Sequence, residues 1–172
     1  MRMIHSLGAL TALVVLGAAG VAAQPGGHMA MAPDTRQPLD FPAHMREHML
    51  SNMRGHFVAL QEILAALAAG DGAKASKIAK ERLGLESPDA AACVKPTGAS
   101  GNMTPMGDMA AMMAKYMPEQ MRALGLAMHE SASAFAVEAA KMPPGGDAKP
   151  ALEALAQVTQ NCAACHAVYR LR

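Results

Sequence analysis

Apolar side chains recur along this chain at steps of three and four, the period of a helix with one buried face. Met45, Met49, Asn52/Met53, His56, Leu60, Ile63 and Leu67 mark the first such face, and Gly70-Asp71-Gly72 ends it. Residues 73–83, with Ile78, Ala79, Arg82 and Leu83 and charges leaning outward, predict a short second helix. Residues 84–107 are broken by Pro88, Pro96, Pro105 and several glycines and predict a long loop, with a short helical stretch over Met109–Met117.

Pro118-Glu119 predicts the start of a third long helix, because proline fits a first turn and an acid faces the positive dipole end. Its face is Met121, Leu124, Met128, Ser131/Ala132, Phe135 and Ala139, and Pro143-Pro144-Gly145-Gly146 stops it. Asp147 is expected to cap a fourth helix with Pro150 in its first turn. Leu152, Leu155, Thr159, Cys162, His166 and Tyr169 would form its inward face. Nothing alternates with a period of two over a useful length, so no sheet is expected. The pattern predicts an all-α fold, an antiparallel four-helix bundle.

The chain's front end reads differently. Arg2, the apolar run Leu7–Val21 and the small residues Val21-Ala22-Ala23 have the order of a secretory signal peptide, 1–23. The apolar centre is short for a membrane span of about 20 residues. Residues 24–38, with Pro25, Gly26, Gly27, Pro33 and Pro38, read as a flexible tether, which leaves 39–172 as the folded domain. Export to the periplasm follows as an expectation, without stable membrane insertion after cleavage.

Composition narrows the function. There is no Trp, and with two Tyr and three Phe the core must be made of Ala, Leu and Met. A net charge of +1 argues against a nucleic-acid partner. Three cysteines in an exported chain would suggest disulfides, but two belong to one motif and Cys93 is left over. No nucleophile has a plausible base, and neither G-x-S-x-G nor a phosphate-binding glycine loop is present, so no enzyme is expected. Asn102-Met103-Thr104 matches a glycosylation sequon, a short pattern of little specificity.

The chemistry lies at the C-terminus. Cys162-Ala163-Ala164-Cys165-His166 is C-x-x-C-H, a pattern of covalent c-type haem attachment. Two thiols can form thioethers with the haem vinyl groups, and the adjoining imidazole can reach the iron. On a helix, positions i, i+3 and i+4 share a face, so the three side chains can converge on one ring. A thioredoxin-like site would need a strand-to-helix context, and a zinc site two further ligands at finger or ribbon spacing. Neither is present in the pattern.

With Tyr169 and Arg170 following it, this motif near the end of the last helix resembles the class II cytochromes c, the cytochrome c prime proteins and their low-spin relatives. The resemblance covers the bundle after residue 23. It is specific around Asp147–Arg170, loose along the first helix and poor in the loop 84–107. It implies a periplasmic one-electron carrier with one haem c, redox protein partners and a possible homodimer through helices one and two. Arg170 would then face a haem propionate or the proximal environment, or else be a solvated charge favouring the helix dipole.

The resemblance assigns the sixth iron position to the first helix. Register against His166 points between His48 and Met53. Counting back from Gly70 as in family members favours Met53, whereas Met49-Leu50-Ser51-Asn52 resembles the Met-x-x-Asn segment of low-spin members and points to Met49. Low-spin relatives commonly carry Arg four residues before the ligand, where this chain has Met49 or Met45. His48 or His56 are the other candidates. With no sixth ligand, Leu50 or Met49 would line an open site for nitric oxide or carbon monoxide. His129 reads as a surface histidine, with the haem edge as its other placement.

Sixteen methionines raise a third possibility. His44-Met45, His48-Met49, Met53 and His56, the series Met103, Met106, Met109 and Met112, and His28-Met29-Ala30-Met31 combine thioether and imidazole ligands. Such donors suit copper, so a periplasmic copper-binding protein is the alternative from another class. Methionine as simple core filling accounts for the same residues.

Overall fold

The structure, a computed structural model, describes residues 33–94 and 105–172. The expected signal peptide, most of the tether, His28-Met29-Ala30-Met31 and the sequon lie outside the described residues. The elements described here all belong to the compact unit Thr35–Arg172. In chain order they are β1 (Gln37–Leu39), α1 (Ala43–Ala68), α2 (Gly72–Arg82), a 3₁₀ turn at Pro88–Ala92, α3 (Pro105–Tyr116), α4 (Glu119–Ala140), α5 (Lys149–Val168) and β2 (Tyr169–Leu171). The chain is mostly helical, as the period of its apolar positions requires.

Helix boundaries follow local chemistry. Gly70 takes a φ of 71°, a left-handed turn open to glycine at little cost, and its carbonyl accepts the N–H of Gly145 at 3.0 Å. The α1–α2 turn therefore touches the α4–α5 turn. Asp71 caps α2 by accepting from the N–H of Lys74 at 2.9 Å. At α5 the capping position falls to Ala148 rather than the expected Asp147. Asp147 still contributes, since its carboxylate accepts the N–H of Lys149 at 2.9 Å.

Two clusters of buried residues fill the interior. Near the paired turns, α1, α2, α4 and α5 share a cluster rich in alanine, with Ala59, Ala75, Ala79, Ala132, Ala139 and Ala151 around Ile63, Leu67, Phe135, Leu155 and Val158. Small side chains let the helix axes approach closely there. The second cluster is made of Met45, Met49, Met113, Met117 and Met121 with Leu39 and Tyr169. The buried face of α5 runs through Ala151, Leu155 and Val158, while Leu152 and Thr159 are exposed, correcting the expected stripe. The buried stripe is set one position earlier at both places because Ala151 and Val158, not Leu152 and Thr159, meet the neighbouring helices.

The expectation of no sheet is also corrected. β1 and β2 pair in parallel, Gln37 with Tyr169 and Leu39 with Leu171. Strands of three residues leave no periodic signal, and their pairing joins residues more than 130 positions apart. Tyr169 and Arg170 consequently lie beyond α5 rather than on its inward face. The segment from Gln37, expected to belong to the tether, is strand. The two ends of the Thr35–Arg172 unit thus meet beside the methionine cluster.

Candidate functional site

The methionine cluster encloses a cavity of about 660 Å³, within the range of about 300–1,000 Å³ usual for cofactor and small-molecule sites. Its walls come from six parts of the fold: the β1 segment, α1, the 3₁₀ turn, α3, α4 and the α5–β2 junction. Seven methionines line it, Met49 and Met53 from α1, Met109 and Met113 from α3, Met117 between α3 and α4, and Met121 and Met128 from α4. Unbranched thioether side chains adapt their shape and make favourable contacts with aromatic rings. A wall of this kind suits a large planar apolar guest.

The C-x-x-C-H residues reach this cavity unequally. Cys165 and His166 line it, and His166 is exposed. Cys162, one turn earlier, is half-buried and packs against the alanine-rich cluster. Burial raises the Cys162 thiol above its ordinary value, opposed by a backbone hydrogen bond, and burial also raises Cys165. Both thiols are therefore protonated at neutral pH. Asn161 fixes the approach of this turn by donating to the Ala127 carbonyl and the Ser131 hydroxyl of α4, both at 3.1 Å. An amide immediately before C-x-x-C-H thus sets how α5 lies on α4, a role that the apolar pattern did not reveal.

Met49 and Met53 stand one helical turn apart on the cavity wall. Met49 is buried at 7% exposure, and Met53 is half-buried. His48 and His56 line the cavity too, but each has its Nε2 engaged. The Asn52 amide lies 3.4 Å from Nε2 of His48, and Nε2 of His56 lies 3.2 Å from the Asp89 carboxylate. Leu50 is also on the wall. Arg36 and Arg170 bring two guanidinium groups to the same cavity.

His129 is corrected from a surface residue to a buried one, at 2% exposure on the cavity wall. Its Nδ1 lies 2.7 Å from the Leu83 carbonyl, an acceptor only, so Nδ1 carries the proton and donates. Burial lowers its pKa from the usual histidine value, partly opposed by the Leu83 carbonyl. The His56 ring meets it edge-on at 6.0 Å between centroids. Its partners, Leu83 and Ser87 in the turn after α2 and His56 on α1, are distant in sequence, so no local pattern signalled its burial.

Cys93 also faces the cavity, where a leftover cysteine was expected without a place. Gly125 on α4 makes room for it, since a Cβ there would stand 2.5 Å from the Cys93 Sγ. Burial, then the neighbouring Cys165 and Asp89, push the Cys93 thiol up to about 11. Among the described residues no group of three His, Cys, Asp or Glu side chains is arranged to hold a metal ion by itself.

The donor set fits a covalently attached porphyrin. The cavity has the size, its walls are apolar, and one thiol and one imidazole of the motif open onto it while the second thiol lies a turn away. Family models, curated proteins and solved structures were compared with the chain, and none matches. No described helix is long and apolar enough to cross a membrane.

Proposed function

We propose that this protein is a periplasmic monohaem c-type cytochrome, a one-electron carrier built as an antiparallel four-helix bundle of the class II type. The observation that carries the reading is the shared cavity: Cys165 and His166 from α5 and Met49 and Met53 from α1 line one apolar space. Cys162 and Cys165 would hold haem c through thioethers, His166 would be the proximal iron ligand, and Met53 the sixth, with Met49 the alternative one turn earlier. When bound, the group supplies reversible one-electron chemistry at its iron.

The protein's own side chains have distinct tasks in this reading. The methionine wall excludes water and supports the ring faces. Arg170, on the cavity wall, would place positive charge for the propionates. Redox protein partners and export come from the resemblance and the 1–23 pattern. A homodimer, as the resemblance implies, would use α1 and α2; Phe57 and Leu64 of α1 are 73% and 50% exposed.

The test is the visible spectrum of the reduced protein with and without carbon monoxide. A low-spin His/Met haem shows sharp split bands and resists the gas, and Met53→Ala converts it to a gas-binding form while Met49→Ala does not. Gas binding by the unaltered protein at neutral pH would overturn the Met ligand and favour the nitric oxide or carbon monoxide reading. Absence of covalent haem would remove the cytochrome reading altogether.

The concentration of seven thioethers on one cavity favours a second reading, a Cu(I) site. Cu(I) titration of the haem-loaded protein against its Met109→Leu/Met113→Leu variant separates the two. Unchanged affinity would discard copper.

A further inference from the structure

A helix leaves its last four carbonyls without partners in the helix, and the final turn opens easily. His166 sits in that final turn of α5. The N–H of Tyr169 takes the Cys165 carbonyl. The next carbonyl, that of His166 itself, accepts from Arg36 Nη1 at 3.3 Å, across 130 positions of sequence.

The surrounding contacts bind the same two segments. β1 pairs with β2 directly after the helix, and Leu39 and Tyr169 are both buried at 5% exposure. Arg172 reaches the Asp40 carboxylate at 3.3 Å, and Arg46 of α1, outside the β1 segment, donates to the Arg172 carbonyl at 2.9 Å. Exposed ion pairs of this kind contribute little singly. The ladder, the buried pair and the guanidinium contact act on one turn together, and a cation at a helix C-terminus also complements its dipole.

We propose that residues 36–40 form a clasp that holds the last turn of α5, with Arg36 as the positioning residue for His166. The clasp stands on the contacts above, and only its consequence for an iron ligand rests on the cytochrome reading. A ligand in a fraying turn would sample several ring orientations. The clasp restricts it to one without touching the iron.

The test uses the full-length haem-loaded protein, with Arg36→Ala, Arg36→Lys and, as a control away from the clasp, Arg54→Ala. In Arg36→Ala, amide hydrogen exchange in the peptide spanning His166–Leu171 rises about tenfold while α2 peptides keep their rates. The paramagnetically shifted ring resonances of His166 in the oxidised protein then split or move, and Arg36→Lys restores both signals towards those of the unaltered protein. Unchanged exchange in Arg36→Ala, or an equal rise in α2 or in Arg54→Ala, overturns the clasp. Faster exchange with unmoved His166 resonances overturns the positioning role. If the protein carries no covalent haem, the cytochrome reading fails, and the exchange measurement on the same variants still decides the clasp.

Discussion

His129 shows how one side chain converts burial into a dependence on pH. Its ring is enclosed by α4, the Leu83–Gly84 turn and His56, and its Nδ1–H is committed to a carbonyl. Burial penalises the charged form, so the folded protein binds its proton less readily than the unfolded chain, whose histidine titrates near 6.5. Below that value the unfolded chain holds more protons, and stability from this group falls as pH falls, levelling off below the folded pKa. Urea unfolding between about pH 7 and pH 5 is expected to show this slope. His129→Gln keeps a donor for Leu83 but does not titrate, so the slope should flatten in that variant. An identical slope would place the acid sensitivity elsewhere. Cys93 is the complementary case, a thiol whose burial keeps it neutral and poorly nucleophilic on the cavity wall.

Helix contacts depend on residues whose main quality is smallness. Gly72, the first residue of α2, lies against the Ala139 carbonyl near the end of α4, and an added Cβ would also meet the Met142 Cβ at 2.8 Å. Neither neighbour is the free end of a long side chain, so the helices must move apart. Gly72→Ala is expected to cost about 1–3 kcal/mol, read as a lower urea midpoint with unchanged slope. No loss would mean that the α1–α2 turn can shift without cost. The α1, α2 and α4 helices were legible in the sequence because each repeats an apolar face over several turns. The α5 face was misphased because alanine and valine did the packing. The strands were illegible, since three residues cannot display a period and β1 finds its partner only once α1 and α5 have brought the two segments together.

At the scale of the molecule, the two halves of the interior divide the work. Alanines near the paired turns let α1, α2, α4 and α5 pack closely on one another. Methionines at the other end line a cavity that no described side chain fills. The sequence by itself determined the helices, through the 3.6-residue period, and the attachment chemistry, because Cys162, Cys165 and His166 are neighbours in the chain. Which residues share the cavity with them was decided only by tertiary structure. Met53, Arg36, Cys93 and His129 come from four separate segments, and their proximity depends on packing and on backbone hydrogen bonds between strands that have no stability alone. Local chemistry is written along the chain, whereas a cavity is a relation between distant parts of it.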